Sequence, residues 1–514
     1  MNIIQKIGIG LFLIGMTVFI AMPFIGNYTL SEEQVRTATK EIHQEQMTEI
    51  LAPMYGVEYG SNFAFLSAFN ENFSTYNDAL KDQGAWDQVI WDDYGFPLAM
   101  AALESPVKSQ PWIFLGLSIG LCVLGGLFFI LPQYRGEPEG IKNNGIYHSS
   151  ATSRGFIGIA TGTFLILFYV LLYWYPAYLA NHVWMVNPLS LLLSGNPASQ
   201  WFLYGFIYTL AIAVMGVRMY RKYRGNKYQI LRTSSVIFFQ TAFAFLIPEI
   251  LVLLNQPYFD FKNIWPLDYD FFYSYNLDTL ISSGGFGLFM LMWGILLIII
   301  GVPLLTYFYG KRWYCSWVCG CGGLAETVGD PYRQLSDKSL KAWKYERVII
   351  HSVLVLAVVM TALTLVNYFM SFELLGNVTN QLHSFYGFAI GAAFSGVVGT
   401  GFYPFMGNRV WCRFGCPLAA YLGLVQRFKS RFRITTNGGQ CISCGNCSTY
   451  CEMGIDVRWY AQRGQNIVRS SCVGCGVCSA VCPRGVLKLE NDNEENRIND
   501  MPIIIGNDSI KVNA

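Results

Sequence analysis

Residues 441–451 read CISCGNCSTYC, and residues 472–483 read CVGCGVCSAVCP. In both runs the cysteines are separated by two, two and then three residues, giving Cys441, Cys444, Cys447 and Cys451, then Cys472, Cys475, Cys478 and Cys482. Pro483 closes the second run, and Glu452 stands at the matching place in the first. A zinc ion takes four ligands, usually as two separated pairs, and does not call for two unbroken runs of four.

The spacing suits a pair of [4Fe–4S] cubanes, in which the fourth cysteine of each run ligates the other cluster. Cys441, Cys444, Cys447 and Cys482 are therefore expected to hold one cluster, and Cys472, Cys475, Cys478 and Cys451 the second. Gly445, Gly474 and Gly476 would let backbone N–H groups approach the inorganic sulfurs. Glu452 is expected to make reduction harder if it is close and ionised.

Upstream the chain changes character. Of its 514 residues 53% are hydrophobic and only 13% charged, against about 25% charged in soluble domains. Eight stretches have the roughly 20 apolar residues a membrane helix needs: 7–26, 111–132, 155–178, 201–217, 234–255, 285–309, 348–369 and 385–406. The first ends in Met22-Pro23-Phe24, not a small-residue cleavage site, and reads as an uncleaved anchor. The loops between spans alternate in charge. Segments 27–110, 179–200 and 256–283 are acidic or lack bases, whereas 218–232 and 311–347 are rich in Lys and Arg. The positive-inside rule then puts both termini in the cytoplasm of a bacterial inner-membrane protein. Disulfides are not expected on that side. A net charge of +2 gives no sign of a nucleic-acid partner.

The expected fold is a mostly α polytopic membrane protein with a C-terminal α+β two-cluster ferredoxin-like domain. Its parts are a transmembrane anchor (1–26), a periplasmic helical, aromatic-rich domain (27–110), a seven-helix membrane domain (111–429), the cytoplasmic cluster domain (430–490) and a polar tail (491–514).

Two spans end alike, in GKRWYCSWVC (310–319) and GNRVWCRFGC (407–416). Each has Gly, Arg, an aromatic and a C-x3-C pair: Cys315 with Cys319, and Cys412 with Cys416. Pro417 suggests a fresh helix over 417–428, lying along the membrane surface. Three readings stand for these sulfurs. They bind a metal or a third cluster if the helices meet, with Cys321 as an additional ligand. They cycle between dithiol and disulfide, with Lys311, Arg312, Arg409 and Arg413 favouring thiolates. Or they pack a surface bend. Cys122, inside an apolar span, reads as inert core.

With these motifs, residues 284–490 resemble the membrane-bound polyferredoxins of the NapH, NosR and CcoG group. The resemblance rests on RWYCSWVCGCGGLAE, RVWCRFGCPLAAYLGL and the two cluster runs. It implies electron transfer between the quinone pool or a cytoplasmic donor and a periplasmic, membrane or metal-centre partner. Gly320 replaces the proline that such proteins usually carry after the first pair. Some relatives carry a covalent flavin on a periplasmic threonine. No such context occurs in 27–110, and SSATSRG (149–155) falls in a cytoplasmic loop, so no flavin is assigned.

No C-x-x-C-H run for attached haem exists. The histidines, His43, His148, His182, His351 and His383, are not placed mid-span as haem b would need. Glu249 is a carboxylate within an apolar segment, a candidate for a proton or quinone role. The functional expectation is a membrane electron carrier. The alternatives are a membrane reductase of a metal ion such as Cu(II), a quinol oxidoreductase, and an iron–sulfur subunit or assembly factor of a larger respiratory complex.

Overall fold

The computed structural model describes residues 1–133, 154–371, 375–437, 440–491, 504–506 and 509–511. His148, the SSATSRG stretch up to residue 153, and the polar tail apart from residue 491 and a strand pair (Ile504–Gly506 with Ser509–Lys511) lie outside the described residues. Among the described residues, eight helices are long and apolar enough to cross a membrane: Ile3–Phe24, Pro111–Ile130, Phe156–Trp174, Gln200–Lys222, Lys227–Leu253, Gly284–Tyr309, Leu340–Phe369 and Val378–Gly401. They match the eight expected stretches, with ends displaced by several residues where caps decide. Ser339 accepts from Ala342 N–H and starts the seventh span early. Asn2 and Gln5 form a reciprocal capping box on the first.

The chain divides into two compact units. One comprises Met1–Arg135, Leu167–Leu210 and Glu249–Leu254; the other comprises Gly136–Ile166, Ala211–Pro248 and Asn255–Ala514. In the first unit, the first two spans meet through glycine. A Cβ on Gly125 would lie 2.5 Å from Gly8 O, and one on Gly8 would lie 2.7 Å from Gly125 O. Cys122 faces this contact, its thiol 3.7 Å from Phe12 O. The 27–110 segment builds an aromatic core around Tyr28, Phe65 and Phe69, under a small antiparallel sheet of Glu58–Tyr59, Asn27–Thr29 and Leu103–Glu104.

The 179–200 segment, expected as a plain loop, contains the helix Ala180–Ser194. Its polar residues meet backbone carbonyls of the segments packed against it. Asn181 donates to Met22 O and Ile25 O, and Trp184 Nε1 to Met100 O. His182 Nε2 lies 2.8 Å from Phe19 O.

The second unit holds the cysteine motifs. Segment 256–283, the acidic connection before the sixth span, packs against the spans of its unit. Trp265 Nε1 donates to Thr361 Oγ1 within the seventh span, and Tyr269 lies against Gly387 and Gly391 of the eighth. Irregular backbone at such depth is tolerated where protein covers it. The helix Pro417–Lys429 does start at Pro417, and one of its faces is packed into the protein. Leu418, Ala419, Ala420, Leu422, Gly423 and Gln426 are buried, and the helix packs against Leu340–Phe369 and Val302–Tyr309. The ferredoxin part is closed by a ladder of Arg433–Thr436 with Leu487–Glu490, and Ile467 bridges to Ile434.

The glycine contact gives a test. Gly125→Val should cost about 1–3 kcal/mol through overpacking and lower the melting temperature in detergent. Gly10→Val, where an added Cβ meets nothing within 4 Å, should leave it unchanged.

Candidate iron–sulfur sites

The two cysteine runs fold back on each other. Each turns through two left-handed residues, Ser443 (φ +60°) and Gly445 (φ +80°) or Gly474 (φ +61°) and Gly476 (φ +75°), into a one-turn helix, Asn446–Thr449 or Val477–Ala480. A side chain would strain the glycine positions. Cys441, Cys444, Cys447 and Cys482 line one cavity with about 360 Å³ of empty space. Cys451, Cys472, Cys475 and Cys478 line another of the same size. In each, the fourth sulfur comes from the other run.

The two cavities differ in exposure. Cys444 is open to solvent, whereas Cys472 and Cys478 are buried. Burial pushes the Cys447 thiol up to about 12 and the Cys472 thiol up to about 11. These sulfurs are therefore protonated at neutral pH unless a metal takes the proton's place.

The loop carrying the buried set is clamped to the helical part of its unit by its own carbonyls. Gln426 Nε2 donates to Cys472 O at 2.9 Å, Ser316 Oγ to Val473 O at 2.8 Å, and Tyr228 OH to Gly474 O at 2.7 Å. Gln229 Nε2 and Arg232 Nη1 both donate to Cys475 O at 2.8 Å. Four successive peptide carbonyls are thus held. Sequence reasoning counted residues 218–232 as topology markers only; Arg232 was visible as a charge, but its target was not.

Beneath this loop lies a buried ionic network. Glu452 Oε2 accepts from Arg333 at 2.5 Å and Asn408 at 3.1 Å, and Glu452 Oε1 lies 3.0 Å from Arg409. Glu326 pairs with Arg232 at 2.9 Å, with Arg409 at 2.6 Å, and with Arg333. Asp330 pairs with Arg333, Lys222 and Arg218. Glu452, the carboxylate that follows the first cysteine run, is thus met by two guanidinium groups. Burial works against ionising Glu326 and Asp330. The surrounding cations outweigh it and hold both carboxyls well below the usual range.

The two C-x3-C pairs come together. Cys416 lies within electrostatic range of Cys412, Cys319 and Cys315. All four are nearly buried, at 5–6% exposure. The chain breaks helix at both pairs in the same way. Gly310 (φ +66°) and Gly407 (φ +90°) stop the preceding helices. Cys319 and Cys416 then cap Gly320–Thr327 and Pro417–Lys429. Ala419 N–H donates to Cys416 Sγ at 3.3 Å, whereas Cys319 starts its helix without a side-chain cap hydrogen bond. Gly320 therefore occupies the same first helical position as Pro417. The flanking cations do not make every thiol acidic. Burial pushes Cys315 up to about 12, while a hydrogen bond from Cys321 holds Cys319 down to about 6.

The other candidates have ordinary partners. His383 pairs with Asp270 at 2.7 Å and stacks on Tyr273, His351 Nδ1 lies 2.6 Å from Arg347 O, and His43 meets Tyr94 OH. Glu249 bonds the Ser194 side chain.

The comparisons agree with this geometry. A family described as "4Fe-4S binding domain" matches residues 291–339 and 387–435, and "4Fe-4S dicluster domain" matches 440–487. A curated relative, "Putative electron transport protein YccM" of Escherichia coli (strain K12), is 28% identical over 157 residues, 29% of this chain and 43% of that protein. The chain thus spans less than half of that relative's length. No solved structure matches. Two [4Fe–4S] clusters, eight membrane-capable helices and an electron-transport relative fit a membrane polyferredoxin.

The network gives two expectations. Arg333→Met should strip Glu326, Glu452 and Asp330 of a shared partner and cost about 3–5 kcal/mol, read as a lower melting temperature. Glu326 and Asp330 have folded-state pKa values below their unfolded ones. Their contribution is complete above about pH 4.5 and is lost as pH falls through that range and below. Thermal stability should fall with acidification there, and less steeply in Asp330→Asn.

Proposed function

We propose that this membrane polyferredoxin passes single electrons between a cytoplasmic donor or the quinone pool and a respiratory or maturation partner. Cys441, Cys444, Cys447 and Cys482 hold one cluster; Cys451, Cys472, Cys475 and Cys478 hold the other. The observation that carries the reading is the contrast between them. One cavity opens to solvent at Cys444, where a soluble redox protein can approach. The other is fastened by four consecutive carbonyls to groups that begin or follow the spans. Iron and sulfide supply the one-electron chemistry. The chain supplies burial, hydrogen-bond donors and a fixed path between donor and acceptor.

The loop charges support a bacterial cytoplasmic membrane location with both termini inside. A quinone donor finds support in a wide-open apolar cleft formed by residues 299–307 and 424–429, where Tyr307 and Lys429 are the polar groups. The same helix carries Gln426, which holds Cys472 O, so the cleft adjoins the clamp of the buried cluster. A periplasmic or membrane redox protein is the partner class on the far side.

Anaerobically purified protein tests this. A short-chain quinol or a reduced soluble ferredoxin should bleach its brown absorbance within seconds. Cys444→Ser should lose most of the response to the soluble donor while keeping the buried cluster's signal. No bleaching by either donor, in protein that dithionite does bleach, would contradict the relay.

A further inference from the structure

We propose that the exposed face around Cys444 docks a small acidic one-electron carrier protein, one whose own redox centre is ringed by carboxylates. The proposal rests on the relay reading and names the chemistry of its soluble partner.

The face is assembled around the first cysteine cavity. Arg458 and Arg484 line that cavity beside Cys441, Cys444 and Cys482. A Cβ on Gly445, the residue after Cys444, would lie 3.9 Å from Arg458 Nη1. The backbone fixes Arg458 there, its N–H donating to Ser448 Oγ at 2.8 Å, one residue after Cys447. The short helix Val457–Gln462 carries Arg458 and Trp459. Arg463 follows it and lays its guanidinium over the Trp459 ring, 3.8 Å from the centroid. Gln462 Nε2 donates to Ser443 Oγ, which ties this helix to the turn that presents Cys444.

The charge of the face has one sign. Among the described residues from 440 to 491, the exposed charged side chains are Arg458, Arg463, Arg484 and Lys488. The carboxylates of that stretch are withdrawn. Glu452 is buried against arginine, Asp456 accepts from Ser448, and Glu490 accepts from Thr435. Between the cations lies apolar surface, with Ile442 55% and Trp459 43% exposed. A tryptophan and arginines around an apolar centre are the residues on which protein interfaces concentrate their affinity. A guanidinium already stacked on a ring loses little freedom when a carboxylate meets it.

Electrostatics then select the partner. Carboxylates around a carrier's redox centre are drawn to this face and turn that centre toward Cys444, the exposed cysteine of its set. A basic carrier meets like charge and is turned away. One electron leaves the reduced carrier and enters the oxidised cluster, and no bond is made or broken. The second cavity offers no such approach, because Cys472 and Cys478 are buried.

Binding and electron transfer are separable on the full chain in nanodiscs. The probe is a soluble [2Fe–2S] ferredoxin chosen for a net charge well below zero, oxidised, against oxidised protein. It should bind, with an association rate that falls about tenfold or more as salt rises from low to well above physiological strength. Arg463→Gln/Arg484→Gln should slow association about tenfold at low salt and flatten the salt dependence, with iron content as the check on folding. Trp459→Ala should speed dissociation and leave the salt dependence as it was. Unchanged association in the iron-replete double variant would overturn the proposal. So would tighter binding of a basic carrier such as cytochrome c to the wild type, whether or not the variants fold. Residues 492–514 carry Asp492, Glu494, Glu495 and Asp500; binding that appears only after their removal would assign the face to the chain's own tail and overturn it too. Since binding needs no electron, docking can hold in protein that reduced ferredoxin fails to bleach, and docking can fail while a quinol still reduces the clusters.

Discussion

The constraint on which the rest depends is the placement of charge out of water. A thiolate-ligated cubane is anionic, and reduction adds to that charge. Burying it beside apolar helices is possible only where donors and cations stand ready. Every notable feature of the second unit serves that need. The carbonyls around Cys472–Cys475 are turned outward to side-chain donors, which leaves the N–H groups of the glycine-rich turns for the sulfurs. Arg232, Arg333 and Arg409 are sunk to near-zero exposure. They are tolerated there because Glu326, Glu452 and Asp330 share them.

The same arrangement explains how a soluble module becomes part of a membrane protein. The cluster domain is not tethered by a flexible linker. Tyr228, Gln229 and Arg232 open the fifth span, Ser316 follows the sixth, and Gln426 lies in the helix after the eighth. Each reaches a carbonyl of one short loop. Loss of the metal would leave that loop without its internal support, so cluster assembly and docking are expected to be coupled.

Much of this was legible in the sequence, and the reasons for the gaps are physical. The eight apolar helices follow from length and composition, because a bilayer admits few alternatives. The cysteine runs were readable because cubane ligation demands close, regular spacing. Three features were hidden. Charge alternation placed 256–283 outside, but it could not show that Trp265 and Tyr269 turn back among the spans. Pro417 announced a helix correctly, but the sequence did not show that Leu422 and Gln426 are buried against neighbouring helices. Glu452 stood out as a departure from the usual proline, yet its meaning depended on Arg333 and Arg409, which are distant in sequence.

The central claim is that each run lends its last cysteine to the other's cluster, which forces the two cubanes close together. EPR of the fully reduced protein measures this directly. The account predicts a broadened spectrum from magnetically interacting clusters, resolving into a single simple signal when reduction is stopped part-way. Two independent, unbroadened signals at full reduction, or no cluster signal in iron-replete protein, would contradict it.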